Sequence, residues 1–270
     1  MDEASQTAAL VKAAEDLTGW ADPARRLRYA LEKDELALYC QPIASLQGGA
    51  RFPMAEVLVR LREEEKALLP PGEFIPVFEH YHLMPDLDRW VVRHIAAHIK
   101  RGSNIARFAV NLDSQTIEDA AFPKAVAEIL AAQGVPTDAL YFEISEADTI
   151  DRVHDAARFT NAIRKVGCGV TISGFGHRTA TFLALKNLKP DFVKVDGSIV
   201  RRLLSAPTAE AKLRAILRVG EVVGYRVIAE MVEDQDILLR LKALGVGYAQ
   251  GFGIQQPHPI EYVAIRRPRI

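Results

Sequence analysis

The chain has 270 residues, of which 49% are hydrophobic and 26% are charged, and its formal net charge is -1. This length suits one large domain or two small ones, and the near-neutral charge argues against binding a nucleic-acid polymer or a membrane surface. Because no apolar run approaches the ~20 residues that span a bilayer, and the N-terminus has no apolar signal core, we expect a cytoplasmic protein without membrane insertion.

The first segment is predicted to be a helix that precedes the main domain. Apolar residues recur at helical spacing from Ala8 to Leu17, and Gly19 and the Asp22-Pro23 pair then break the pattern. We interpret residues 1–23 as a lead-in helix or linker. Two interpretations stay open: the remnant of a connection to an upstream domain, or an ordinary helix that covers the barrel floor.

From Ala24 onward, strand-like and helical patterns alternate. The predicted strands are Leu36–Gln41, Phe52–Arg60, Ala106–Asp113, Ala139–Ser145, Gly169–Ile172, Phe192–Val195, Arg226–Met231 and Gly247–Gln250. The predicted helices are Arg25–Lys33, one that begins near Gly72, Leu87–Lys100, Phe122–Ala132, Ile150–Val166, Thr179–Leu188, Ala209–Val223 and Gln235–Leu244.

This alternation predicts an α/β fold, a modified TIM (β/α)8 barrel. Helices between apolar strands indicate parallel pairing through crossovers, and about eight strands over ~240 residues fit a barrel better than an open sheet. Only the short Gly-rich stretch Leu46–Gly49 joins the first two strands, so one strand is expected to run antiparallel. We expect the barrel domain to cover residues 24–262 and a basic tail to cover residues 263–270.

Acidic and amide side chains recur at the ends of the predicted strands. In a barrel, the C-terminal strand ends face one shared pocket, so these side chains should meet there. They are Glu56, Asn111, Glu143, Lys194, Glu230 and Gln250. Carboxylates gathered in this way can hold a divalent metal at a phosphate. The strand that ends at Ile172 has no such acid, since it continues into Ser173-Gly174.

Each candidate also has a structural interpretation. Glu56 and Arg60 lie four residues apart on a strand and point to the same face. They are either an ion pair, or an acid near a metal and an arginine on a phosphate or a guanine edge. Asn111 alone fits a turn, and Glu146 fits a helix cap. Lys194 lies between valines and needs a carboxylate partner or a functional role, because lysine is rarely buried unpaired.

Taken in order, these segments resemble the EAL domain family, the phosphodiesterases and receptors of the bacterial second messenger cyclic di-GMP. Glu56-Val57-Leu58 is similar to the signature of the family, with Val57 in place of its alanine. The matching blocks are Tyr39–Ile43, Ala55–Arg60, Glu73–Pro76, Asp88–Val91, Val110–Leu112, Phe142–Glu146, Val193–Asp196, Ile228–Glu233 and Gln250–Phe252. They run from Arg25 to Glu261 in the order and spacing of the family.

The resemblance implies a site and a reaction. Active members use two Mg²⁺ or Mn²⁺ ions to activate a water that cleaves one phosphodiester bond of cyclic di-GMP. Carried over to this chain, the metal ligands are Glu56, Asn111, Glu143 and Glu230, with Lys194 positioning or deprotonating the water. The positions that hold guanines and phosphates are Gln41, Leu58, Val59, Arg60, Asp88 and Gln250.

The chain departs from the family after Ile172. Where the family has Asp-Asp-Phe-Gly-Thr-Gly, this chain has Ser173-Gly174-Phe175-Gly176-His177-Arg178, so the two aspartates that ligate the metals are missing. Serine and glycine supply no charge for a hard cation, and a two-metal clamp should not assemble. With the nucleotide-contacting positions retained, the chain resembles the degenerate, non-catalytic receptor EAL domains, FimX-like ones in particular.

We therefore expect a catalytically inactive EAL domain, not an enzyme, that binds cyclic di-GMP as a receptor and requires no metal cofactor. It would relay the signal to a protein partner, such as a PilZ-type protein in type IV pilus, motility or biofilm control. Two alternatives stay open. One is a weakly active cyclic di-GMP phosphodiesterase that depends on Mg²⁺ or Mn²⁺, and the other is an interaction scaffold that does not bind nucleotide.

Overall fold

The computed structural model describes residue 20 and residues 22–62, 68–178 and 181–263. Nearly all of the predicted lead-in segment and of the predicted basic tail lie outside these residues, so both stay predictions, and so does the exact span of the domain. The strands are β1 (Leu36–Ser45), β2 (Met54–Arg62), β3 (Leu68–Leu69), β4 (Arg107–Asn111), β5 (Leu140–Ser145), β6 (Gly169–Phe175), β7 (Phe192–Val195), β8 (Arg226–Ala229), β9 (Tyr248–Ala249) and β10 (His258–Pro259).

The α-helices of the described residues lie mostly between these strands. They are α1 (Pro23–Glu32), α2 (Pro71–His80), α3 (Met84–Arg101), α4 (Ser114–Glu118), α5 (Phe122–Gln133), α6 (Glu146–Asp151), α7 (Val153–Val166), α8 (Thr181–Leu188), α9 (Gly197–Val200), α10 (Pro207–Val223) and α11 (Gln235–Ala243). Short 3-10 turns cover Thr137–Ala139 and Ile260–Val263. In this part of the chain, no helix combines the length and the apolar character that crossing a bilayer would require.

Strands β1, β2 and β4 to β9 form a closed barrel, in which β9 pairs back onto β1. β1 runs antiparallel to both of its neighbours, and the other barrel strands pair in parallel. The predicted modified TIM barrel with one antiparallel strand is therefore confirmed. The physical reason is the short β1–β2 connection, which allows a hairpin and leaves no room for a crossover helix.

Several element boundaries differ from the predictions. Strand β1 continues to Ser45, and the predicted helix Ile150–Val166 is two helices that meet at Arg152. Helix α3 begins at Met84 because the first turn of a helix tolerates Pro85. The sequence pattern does not predict the short helices α4 and α9, since four or five residues are too few to show apolar periodicity. Asp113 and Asp196 cap them, each accepting a backbone N–H two residues later.

Two apolar clusters lie between the barrel and its helices, and a third fills the barrel interior. The interior cluster consists of Ile43, Met54, Ala109, Tyr141, Phe192 and Ile228. Tyr141 and Tyr248 each pack edge-on against Phe192, with centroids 5.5 Å apart in both pairs. These side chains close the floor of the barrel, and inward-facing residues further along each strand must lie above it.

Close packing in this floor requires glycine at the start of β6. A Cβ atom on Gly169 would overlap the ring of Tyr141, which already packs against Phe192. We expect Gly169→Ala to lower the free energy of unfolding by about 1–3 kcal/mol, as overpacked cores do, measured by urea denaturation. The control is Gly72→Ala in α2, where a Cβ would meet no atom within 4 Å. Equal effects of the two substitutions would contradict this account of the floor.

Candidate functional site

Seven of the predicted site residues meet directly above the barrel floor. Five of them follow a floor residue by two positions, on the same strand or, for Glu230, directly past its end, so the alternation of side chains places them inside the barrel, one layer higher. These pairs are Met54 and Glu56, Ala109 and Asn111, Tyr141 and Glu143, Phe192 and Lys194, and Ile228 and Glu230. Gln41 from β1 and Gln250 after β9 complete the group.

The ammonium of Lys194 lies at the centre of this group. Its Nζ is 2.8 Å from Glu56 Oε2, 3.0 Å from Glu143 Oε2 and 3.2 Å from Glu230 Oε1. The side chains of Lys194 and Glu143 are only 2% and 1% exposed. The sequence predicts a carboxylate partner for Lys194 if it has no functional role, and the structure provides three.

A chain of side-chain amides fixes the position of Glu56. Asn111 Nδ2 donates to Glu56 Oε1 at 2.6 Å, and Gln250 Nε2 donates to Glu56 Oε2 at 2.6 Å. Gln250 Nε2 also donates to Gln41 Oε1 at 2.9 Å, and Gln41 Nε2 donates to the carbonyl oxygen of Gln255 at 3.1 Å. Such connected bonds orient a carboxylate more firmly than one contact could.

Three carboxylates facing one ammonium carry two more negative than positive charges when all are ionised. Burial, reinforced by the other two carboxylates, raises the pKa of Glu143 to about 8, and burial also raises the pKa of Glu230. For Glu56 burial acts in the same direction, but the ammonium and the two amides outweigh it and lower its pKa. Burial opposes the charge on Lys194, yet the carboxylates raise its pKa well above the usual range. Lys194 is therefore protonated at neutral pH.

A cavity of about 300 Å³ opens beside this cluster, and Leu58, Val59, Asp88 and Asn111 lie in its wall. The rest of the wall is mostly apolar and comes largely from α2 and α3. Asp88 is 3% exposed, and burial raises its pKa to about 7. Within the described ranges, its Oδ2 has no hydrogen-bond partner. A largely apolar wall that includes the buried acceptor of Asp88 suits a flat ring that carries N–H groups at its edge.

Arg60 is the predicted site residue that belongs neither to the cluster around Lys194 nor to the wall of the cavity. Its guanidinium lies 5.5 Å from the ring centroid of Tyr39 and donates to the carbonyl oxygen of Val59 at 2.8 Å. The ion pair considered between Glu56 and Arg60 is not formed, since the Glu56 carboxylate bonds to Lys194 and to the two amides. Both side chains leave the same strand face, but β2 continues past the barrel mouth and carries Arg60 away.

Sequence reasoning missed the role of Glu146. The hydroxyl of Ser145 caps α6, whereas the buried carboxylate of Glu146 accepts the backbone N–H groups of Gly176, His177 and Arg178 at 3.0–3.3 Å. This contact joins the start of α6, which directly follows β5, to the loop that follows β6, because the parallel pairing of β5 and β6 brings their ends together. The predicted barrel already implies that β5 and β6 are neighbours, and this strand order is the signal that could have identified the contact.

The site gathers oxygen atoms of the kind that a hard divalent cation prefers, but the ammonium of Lys194 lies among them. Glu56, Glu143, Glu230 and the amide oxygen of Asn111 are ligands that such ions prefer. Ser173 and Gly174 themselves supply no carboxylate for a second ion. In the part of the chain that the structure describes, no three histidine, cysteine or carboxylate side chains surround a free point that could hold a metal. The ammonium of Lys194 instead fills the point where the glutamates meet.

Comparison with known proteins places these residues in a family context. The EAL domain family model matches residues 24–257. The chain is 31% identical over 238 residues to cyclic di-GMP phosphodiesterase PdeB of Shewanella oneidensis and to cyclic di-GMP phosphodiesterase PdeF of Escherichia coli K12. Each match covers 87% of this chain, which spans only 28% and 32% of the two relatives. The EAL domain of FimX from Pseudomonas aeruginosa, solved with c-di-GMP bound, superposes with a TM-score of 0.82 at 30% identity, covering 88% of this chain and 96% of that one.

These relatives contradict the expectation of a catalytically inactive receptor that is not an enzyme. Proteins that match 87% of the chain are named as cyclic di-GMP phosphodiesterases, and the weakly active, metal-dependent alternative is better supported. The expectation of inactivity rests on Ser173 and Gly174 alone. Their side chains affect the end of β6, whereas the carboxylates of β2, β5 and β8 still converge.

The raised carboxyl pKa values predict that stability falls between pH 5 and pH 8. Burial holds the pKa of Glu143 at about 8 and that of Asp88 at about 7 in the folded chain, against about 4 when unfolded. The folded state therefore binds more protons in this range, and the free energy of unfolding decreases as pH rises. Glu143→Gln should flatten this decrease in urea denaturation, whereas Glu221→Gln on the exposed face of α10 should leave it unchanged. An unchanged slope for Glu143→Gln would refute the assignment.

Proposed function

The chain belongs to the EAL domain family, and we propose that it hydrolyses cyclic di-GMP as a metal-dependent phosphodiesterase of low activity. One divalent cation would serve, instead of the two that the family resemblance implies. The observation that carries this proposal is the buried cluster in which three carboxylates face a single ammonium.

The excess charge of the cluster supports a cation in the site. When all three carboxylates are ionised, they and the one ammonium leave two negative charges, which a divalent ion would balance. Glu56, Glu143, Glu230 and Asn111 would hold it. When bound, such an ion polarises a phosphate oxygen and lowers the pKa of a bound water. Its binding should also displace the proton that burial favours on Glu143.

The protein side chains supply orientation and a fixed positive charge. Asn111 and Gln250 hold the Glu56 carboxylate in place. Because the pKa of Lys194 is raised, its ammonium would stabilise the anionic phosphate and position the water rather than take a proton from it. Glu230, 20% exposed, lies on the open side of the cluster, where a water can approach.

The cavity beside the cluster supports a guanine-containing substrate. The ring would lie between the apolar side chains of the wall, and its N–H and amino groups would donate to the unpartnered Oδ2 of Asp88. The similarity to the FimX domain, solved with c-di-GMP bound, adds support for this ligand. A phosphate contact by Arg60 would require its guanidinium to leave Tyr39. A protein partner and a cytoplasmic location stay predictions.

Overnight incubation of cyclic di-GMP with the chain and Mn²⁺ or Mg²⁺ should yield the linear dinucleotide, detected by chromatography. A chelator should abolish the product, and Glu230→Gln should reduce it to background because a neutral amide weakens cation binding. Glu221→Gln, which removes an exposed carboxylate of α10 that is not part of the cluster, should leave the yield unchanged. No linear product with either metal would overturn the proposal.

Placing two acids near the end of β6, at positions 173 and 174, should increase the rate. Gly174 has φ +63°, a Cβ atom added to it would meet no atom within 4 Å, and aspartate tolerates this left-handed region better than most residues. The pair Ser173→Asp with Gly174→Asp should raise metal-dependent hydrolysis at least about tenfold, which corresponds to ~1.4 kcal/mol of barrier. The uncharged pair Ser173→Asn with Gly174→Asn is the matched control. A similar gain in both pairs would show that charge at these positions is not what limits the rate.

A further inference from the structure

A second concave site lies outside the barrel mouth, between the loop that follows β6 and the first turns of α10. Its cavity has a volume of about 130 Å³. The lining residues are His177, Ser198, Ile199, Arg202, Thr208, Ala209 and Lys212. None of these belongs to the carboxylate cluster or to the cavity beside Asp88.

The lining is rich in hydrogen-bond donors and positive charge. Arg202 and Lys212 are cationic, His177 contributes an imidazole, and Ser198 and Thr208 contribute hydroxyl groups. No lining residue carries a carboxylate. Such a set of donors, dominated by a guanidinium and an ammonium, is the kind of surface that binds an oxyanion.

Neighbouring carboxylates are already engaged with other groups. Asp196 accepts the N–H of Ser198 at 2.8 Å and lies 3.0 Å from His177 Nε2. Glu210 forms ion pairs of 2.7 Å with Arg240 and 2.8 Å with Arg214. The acids closest in sequence to the lining therefore do not neutralise its two fixed cations.

Arg202 and Lys212 consequently keep charge available to a ligand. Among residues 20, 22–62, 68–178 and 181–263, neither has a carboxylate within ion-pair distance. Lys212 Nζ makes one long contact of 3.4 Å, to the carbonyl oxygen of Gly176. A phosphate oxygen would be a stronger acceptor for that ammonium than this carbonyl.

We propose that this cavity binds a single phosphate group, either as the free ion or as a phosphate monoester at the end of a small molecule. The volume equals that of about four liquid water molecules, which accommodates a tetrahedral phosphate but not an attached sugar and base. Any larger ligand must therefore leave its remaining part outside. The proposal does not depend on the phosphodiesterase activity, because the two sites share no residue.

Position in the fold gives this site a physical connection to the barrel mouth. Gly176 and His177 directly follow β6, the strand that carries Ser173 and Gly174, and Glu146 holds this loop from the other side. A phosphate bound by His177 and Lys212 would therefore contact this loop from outside the barrel.

Calorimetric titration of the chain with inorganic phosphate, ribose 5-phosphate and ribose, in low-salt chloride buffer without divalent cations, tests the proposal. Saturable binding of phosphate or ribose 5-phosphate, with none for ribose, is expected. A preference between the first two identifies the free ion or the monoester as the ligand. Absence of saturable binding at millimolar concentrations of both phosphates would overturn the proposal.

Charge-matched variants separate this cavity from a general effect of surface charge. Arg202→Gln with Lys212→Gln should weaken phosphate binding at least tenfold. Arg218→Gln with Lys242→Gln removes the same charge from exposed positions of α10 and α11 and should leave the affinity unchanged. Equal weakening in the two double variants would refute a site at this cavity, and circular dichroism of each verifies the fold.

Discussion

The buried ammonium of Lys194 is the interaction on which the mouth of this barrel depends. It lies within 3.2 Å of carboxylate oxygens from three different strands or strand ends. Without it, Glu56, Glu143 and Glu230 would bring like charges together in a nearly water-free space, and breaking such a buried pairing generally costs about 3–5 kcal/mol. The lysine allows the chain to keep a concentrated set of oxygen ligands, and the carboxylates keep the lysine charged.

The aromatic floor strengthens the effect of burial on the charges of the cluster around Lys194. Tyr141 and Phe192 close the barrel two residues below Glu143 and Lys194, so the cluster has low-dielectric material beneath it and meets solvent at Glu230, Glu56 and Asn111. Burial therefore raises the pKa of Glu143 to about 8, while the more exposed Glu230 shifts in the same direction. A site with one carboxyl poised near neutral pH and excess negative charge gains stability when a cation binds.

Much of this site can be predicted from the sequence, because strand ends in a parallel barrel obey a simple rule. Polar residues after apolar runs identify Glu56, Glu143 and Lys194 as neighbours. The rule gives the face of a strand but not how far the strand extends, which is why it does not predict the distance of Arg60 from the cluster. The sequence around Glu146 indicates only a helix cap, because its partners lie 30 residues away, across a loop whose path depends on the finished sheet. The expectation of an inactive protein gives Ser173 and Gly174 more weight than the cluster around Lys194.

Backbone hydrogen bonds explain how those two positions could change without loss of the surrounding site. Glu146 holds the loop after β6 through the N–H groups of Gly176, His177 and Arg178, and these bonds do not depend on side chains at 173 and 174. The three bonds therefore form in this chain without a carboxylate at either position. The cluster around Lys194 draws on β2, β5, β7 and β8, so its geometry does not depend on β6 side chains either. Under the proposed function, the fold would thus separate the position of a second cation from the ligands of the first, and one set can be absent while the other stays assembled.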